Sequence, residues 1–177
     1  MALSIKWRKI NEKSVKSSVY KEKSKMIKIL FICHGNICRS PMAEFVMKDL
    51  IQKRELEGEF NIASAATSRE EIGNSVHYGT KNKLAQYGIS VAGKCAVQLK
   101  KEDYHKYDYL LGMDSMNIRN MMRILGSDPE GKVKKLLAFT DRERDIADPW
   151  YTGDFDKTYE DIVEGCEALL KYILMNN

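Results

Sequence analysis

The chain has 177 residues, of which 44% are hydrophobic and 31% charged, the composition of one globular domain long enough to bury a core. No run approaches the roughly 18 apolar residues of a membrane helix, and residues 1–25 contain no apolar stretch like that of a secretory leader, so a cytoplasmic chain without membrane attachment is expected. The net charge of +4 is carried by residues 1–25, where eight Lys/Arg face two Glu; this basic segment reads as a flexible extension, the remainder is slightly acidic, and no nucleic-acid partner is expected.

Past the extension, the run at 27–32 is rich in branched and aromatic side chains and predicts a buried strand. Residues 33–39 form a loop containing Gly35 and Asn36. Ser40 then reads as an N-cap, Pro41 as the first helical position, and Glu44 as a first-turn acid favouring the helix dipole. Met42, Phe45, Val46, Met47, Leu50 and Ile51 give this helix an apolar face. A second strand is expected near 60–65, helical segments around 77–87 and 115–125, a third strand over 107–112 and a fourth over 133–139. Tyr159, Ile162, Val163, Cys166, Leu169, Leu170 and Ile173 recur at helical intervals and close the chain on an amphipathic helix. This alternation predicts an α/β domain over 26–177: a four-stranded parallel sheet, doubly wound with helices on both faces, with a phosphate-binding loop after strand 1.

The chemistry concentrates in that loop. In open parallel sheets ligands sit beyond the carboxyl ends of the strands, where Cys33-His34-Gly35-Asn36-Ile37-Cys38-Arg39-Ser40-Pro41 is found. A short loop can turn several N–H groups inward as an anion nest, and the following helix adds its dipole. Arg39 supplies a planar fork for a phosphoryl group. Cys33, at the strand end and facing these donors, is in a setting that favours a thiolate nucleophile.

The segment from Cys33 to Glu44 resembles the low molecular weight protein tyrosine phosphatases. The likeness continues in Ser64-Ala65-Ala66-Thr67-Ser68, in Gly112-Met113-Asp114-Ser115-Met116-Asn117, and in Asp148-Pro149-Trp150-Tyr151-Thr152-Gly153-Asp154-Phe155. It implies that Cys33 forms a phosphoenzyme, that Arg39 binds phosphate, and that Asn36 and Ser40 brace the loop and orient the thiolate. It also implies that His34, Gly35, Ile37 and Cys38 line the phosphate site, and that Cys33 and Cys38 form a reversible disulfide under oxidation. Asp148 precedes Pro149, which holds it in extended geometry. The resemblance implies a general acid here, with Trp150 and Tyr151 flanking the substrate ring. An Asx turn at a helix entry is the alternative for Asp148, and core packing for either ring. Glu70 stands where several relatives carry an aromatic wall residue, Val97 where arginine is common, and Ser75 where proline is frequent.

The other cysteines, Cys95 and Cys166, read as structural. Residues 88–95 nearly spell a nucleotide-binding P-loop, but Cys95 replaces the magnesium-ligating Ser/Thr and a helical segment precedes it; Lys94 then reads as a solvated loop charge. His34, His77 and His105 lack ligand spacing, so neither metal nor cofactor is expected. The expected substrates are phosphotyrosine proteins or small aryl phosphates, acted on by a monomer or weak dimer. Three rivals stay open: a protein arginine phosphatase, which generally has Thr where Ile37 stands; a thioredoxin-coupled arsenate reductase, which needs two further closely spaced cysteines; and a non-catalytic phosphoprotein-binding module.

Overall fold

A computed structural model describes residues 25–176, so residues 1–24 of the basic segment lie outside the described part. Four strands form one parallel sheet in the order β2-β1-β3-β4: β1 Ile27–Cys33, β2 Phe60–Ala66, β3 Tyr109–Gly112 and β4 Val133–Lys135. The helices between and after them are α1 Arg39–Gln52, α2 Tyr78–Ala85, α3 Asp103–Lys106, α4 Ser115–Leu125, α5 Pro149–Thr152 and α6 Phe155–Asn176. None of these helices is long and apolar enough to cross a membrane.

Alternation along β1 builds two cores. Ile29, Phe31 and Cys33 face one side, where they join Met42, Val46 and Met47 of α1 and Ile162, Leu169, Leu170 and Ile173 of α6. Leu30 and Ile32 face the other, against Leu99, Tyr104, Met121 and Leu125 from the α3 and α4 region. The central strand is therefore apolar on both faces, as a buried parallel strand must be. Each such side chain contributes about 1.5–3 kcal/mol by leaving water. Because β1 is flanked by β2 on one side and β3 on the other, the connections diverge at its carboxyl end, and a crevice opens where Cys33 sits.

Three local expectations differ from the structure. The fourth strand stops at Lys135, and Leu136–Phe139 forms a 3-10 turn. Leu136 and Leu137 are consecutive and both fully buried in the same core, which strand alternation cannot accomplish and a helical turn can. The third strand starts at Tyr109, because Asp108 instead uses its carboxylate to accept the Lys28 N–H and pair with Lys25. Helix α1 begins at Arg39 with Cys38 as its N-cap and no side-chain cap. Ser40 therefore does not cap it, and Glu44 lies beyond the first turn, buried rather than dipole-paired.

Gly165 shows how closely α6 approaches this turn. A Cβ there would stand 2.6 Å from Leu136 Cγ and 3.1 Å from a Leu137 methyl. Gly165→Ala would gain about 1 kcal/mol of helix propensity but overpack the core by about 1–3 kcal/mol. We expect a net loss, read as a lower urea midpoint at unchanged slope; a raised midpoint would contradict the packing.

Candidate active site

The loop from β1 to α1 wraps around the Cys33 sulfur. Asn36 adopts a left-handed backbone with φ of 58°, which Asn tolerates better than most residues, and the turn brings its N–H to Cys33 Sγ at 3.3 Å. Ser40 Oγ lies 3.0 Å from the same sulfur. The N–H groups of Gly35, Ile37 and Cys38 find no acceptor among the described residues, which suits an anion nest at the start of α1. From outside, Ile37 and Cys38 pack on Ala96 and Phe155. The Ile37 carbonyl accepts from His77 N–H at 2.8 Å, and the Cys38 carbonyl from Thr80 Oγ1 at 3.3 Å.

Arg39 is buried, and each terminal nitrogen is committed. Nη1 donates to Asp114 Oδ2 and, at 3.0 Å, to the Ile146 carbonyl; Nη2 donates to Asp148 Oδ2 at 2.7 Å. Its Nε is buried and has no hydrogen-bond partner among the described residues. Such a donor awaits an acceptor, and a phosphoryl oxygen is the fitting one. Burial alone would lower the guanidinium, but the charges of Cys33, Asp148 and Asp114 outweigh it and hold it above its ordinary range.

Asp148 bears out the helix-entry reading and commits both of its carboxylate oxygens. Oδ1 accepts the Trp150 N–H at 3.1 Å, capping α5 behind Pro149, while Oδ2 holds Arg39. Asp114 works the same way, capping α4 through the Asn117 N–H at 2.6 Å and clamping Arg39 with its other oxygen.

Cys33, Cys38, Arg39, Asp114 and Asp148 line one cavity of about 420 Å³, together with His34, Glu70, Glu71, Met116, Trp150 and Tyr151. Glu70 pairs with His34 at 3.0 Å on the exposed rim. Trp150 leans edge-on against His77 at 5.6 Å. Tyr151 is 84% exposed, so neither ring is spent on core packing. Burial, followed by the charges of Cys33 and Asp148, pushes the Cys38 thiol up to about 12. Of the structural cysteines, Cys166 is fully buried as expected, whereas Cys95 is exposed and packs in no core. Lys94 is also corrected: its side chain is 12% exposed and pairs with Glu44, so it is not a solvated loop charge.

Asp114, Ser64 and the Ile146 carbonyl were given no role by sequence reasoning. Asp114 directly before a helix, with Asn117 three residues on, carried an N-cap signal. The Ile146 carbonyl is backbone and carried none.

Comparison with known proteins agrees with this geometry. The family described as low molecular weight phosphotyrosine protein phosphatase matches residues 28–177. The Bacillus subtilis low molecular weight protein-tyrosine-phosphatase YfkJ is 41% identical over 150 residues, covering 84% of this chain and 96% of that protein. The crystal structure of YfkJ superposes with a TM-score of 0.84 at 39% identity, covering 88% of this chain and 99% of that one. A Drosophila arginine phosphatase structure superposes at 0.77 with 28% identity, covering 85% and 100%. A four-stranded parallel sheet carrying a Cys-x5-Arg loop at the end of its first strand, matched over nearly the whole described chain, leaves one assignment: the chain belongs to the low molecular weight phosphotyrosine protein phosphatases.

Proposed function

We propose that this phosphatase cleaves phosphotyrosine and related aryl phosphate monoesters through a phosphocysteine on Cys33. One observation carries the reading. A sulfur that accepts the Asn36 N–H shares a cavity with a guanidinium whose Nε is unpaired, and a carboxylate lies 2.7 Å from that guanidinium. Phosphoryl oxygens take Arg39 and the loop N–H groups. The Cys33 thiolate forms an S–P bond as the ester P–O bond breaks, and Asp148 gives its proton to the departing phenolate oxygen. Water then attacks phosphorus, Asp148 takes its proton, and the thiolate leaves, releasing inorganic phosphate.

The exposed Trp150 and Tyr151 rings support an aromatic leaving group. Cys38 is the proposed redox partner of Cys33. It lines the same cavity, and its raised thiol leaves Cys33 as the first site of oxidation. Cys166 is buried in α6, far in sequence from Cys95, which disfavours the arsenate-reductase chemistry.

Turnover of a phosphotyrosine peptide, para-nitrophenyl phosphate and phosphoarginine tests the proposal. We expect kcat/KM on the aryl esters to exceed that on phosphoarginine by at least about tenfold, a margin that pocket contacts alone can supply. Faster cleavage of phosphoarginine would reassign the substrate. Binding without turnover would point to a phosphoprotein-binding module, and thioredoxin-dependent arsenate turnover to the reductase.

A further inference from the structure

The segment that delivers Asp148 to the cavity has no regular structure of its own. Residues 143–148 lie between the 3-10 turn Leu136–Phe139 and α5, in neither helix nor strand. Among the described residues one backbone bond, from the Ile146 N–H to the Met113 carbonyl at 2.9 Å, ties residues 141–147 to the rest of the fold. Side chains supply the other fastenings. Arg144 reaches α6, where Nη1 donates to Glu164 Oε1 at 3.2 Å, and Nη2 donates to Glu164 Oε2 and, at 2.7 Å, to Asp161 Oδ1. Asp145 turns instead to α4, and its Oδ1 accepts the Ser115 N–H at 3.1 Å and the Ser115 hydroxyl at 3.0 Å. Lys135, at the end of β4, pairs with the same oxygen at 3.3 Å and with Glu143 at 2.8 Å. Arg144, Asp145, Asp161 and Ser115 are all absent from the cavity lining.

These contacts differ from an ordinary surface pair, which contributes only about 0–1 kcal/mol. Arg144 places a two-point fork on one carboxylate and a further bond on Asp161, whose side chain is 6% exposed. A planar fork fixes direction as well as distance. The Glu164 and Asp161 hydrogen bonds hold the guanidinium above its ordinary range, and Arg144 in turn holds the Glu164 carboxyl below its own. Burial would raise the Asp145 carboxyl, but the Ser115 donors and Lys135 outweigh it and keep it below the usual carboxylate range. Asp145 also faces the N-terminus of α4, where the helix dipole favours an anion. Residue 144 thus pulls the segment to α6 and residue 145 pulls it to α4, while Ile146 is buried in the core directly after them.

Asp148 is held at the cavity by Arg39 at 2.7 Å, and an arriving phosphoryl group competes for that guanidinium. When the acid acts, its place therefore depends on α5, which it caps, and on the chain leading into it. A misplacement of about 1 Å can cost about 10²-fold in rate. We propose that Arg144 and Asp145 are positioning residues for the general acid, fastening the segment before Asp148 to α6 and to α4 so that its carboxyl keeps its place beside the leaving oxygen when Arg39 turns to phosphate. The inference rests on the reading of Asp148 as general acid.

The test combines Arg144→Met with Asp145→Ala. Asp161 keeps Lys157 at 3.0 Å, so the first substitution strands no buried charge, and Asp145 is half exposed. The readouts are kcat and KM for phenyl phosphate, whose leaving group needs a proton, and for para-nitrophenyl phosphate, whose leaving group needs it far less. A displaced acid predicts kcat on phenyl phosphate lowered about tenfold to thirtyfold and on para-nitrophenyl phosphate by less than about threefold, with KM within about twofold on both. Asp145→Asn keeps an oxygen for Ser115 and should stay within about twofold of wild type on either ester. In an Asp148→Asn background the combined variant should cost less than about twofold more on phenyl phosphate, because no acid remains to be misplaced. Equal losses on the two esters would mean general loosening and overturn the proposal, as would a wild-type rate on phenyl phosphate or a full further loss in the Asp148→Asn background. If the combined variant does not fold, Asp145→Ala against Asp145→Asn decides, with the first expected to lose rate on phenyl phosphate alone and equal rates in the two overturning the proposal. Failure of the acid reading shows elsewhere: Asp148→Asn by itself would then fall equally on both esters, and the positioning role would fall with it.

Discussion

Cys33→Ser is expected to abolish turnover of para-nitrophenyl phosphate, lowering kcat by more than about 10³-fold, the scale on which nucleophile replacements act. The Cys33 sulfur meets the Asn36 N–H and the adjacent Ser40 hydroxyl, and no histidine or carboxylate hydrogen-bonds to that sulfur among the described residues. A serine hydroxyl in the same place would need a base to take its proton, and none is supplied. Phosphate binding should survive, because Arg39 and the loop amides are untouched, so the inhibition constant for inorganic phosphate should move by less than about threefold. Acid quenching during turnover of a radiolabelled ester should trap label on the wild-type protein and none on Cys33→Ser. Undiminished turnover in Cys33→Ser would falsify the covalent mechanism outright.

What the sequence made legible was what it encodes locally. The alternation of β1, the Cys33-to-Arg39 spacing and the start of α4 at Ser115 all rest on neighbouring residues, and each matches the structure. The helix-entry turn at Asp148 was legible for the same reason, since Pro149 directly follows it. The contacts that complete the site join residues far apart along the chain: 75 positions from Arg39 to Asp114, 107 to the Ile146 carbonyl and 61 from Asn36 to Val97. Glu44 is the most instructive case. With Lys48 four residues on, it has the pattern of a solvated helix face, yet Ser64 and Lys94 arrive from other elements and bury it. Leu136 and Leu137 misled in the same way, because a run of apolar residues does not reveal whether neighbours lie on opposite sides of a sheet or together beneath α6.

Asp148→Asn should lower kcat by about 10²–10⁴-fold on phosphotyrosine, the usual contribution of a positioned acid, and by much less on para-nitrophenyl phosphate. Asparagine is the informative replacement because Asp148 Oδ1 also caps α5 through the Trp150 N–H. Alanine would lose the cap along with the proton, at roughly 1 kcal/mol of local stability, whereas an Asn oxygen keeps the cap and removes only the acid. The other carboxylate oxygen holds Arg39 Nη2 at 2.7 Å, and an incoming phosphoryl dianion competes for that guanidinium. Substrate binding thus draws Arg39 toward the phosphoryl group and leaves Asp148 free to serve the departing phenolate. With asparagine the side-chain amide faces Arg39 donor to donor, so the guanidinium is freer for phosphate and KM should not rise. The defect should grow with leaving-group basicity, since tyrosine, with a pKa near about 10, needs the proton and a nitrophenolate largely does not. A series of substituted phenyl phosphates therefore reads the mechanism as the slope of log kcat against leaving-group pKa, expected to be steeper in Asp148→Asn than in wild type. Parallel slopes would mean that Asp148 serves the cap and the arginine alone, and that the proton comes from elsewhere.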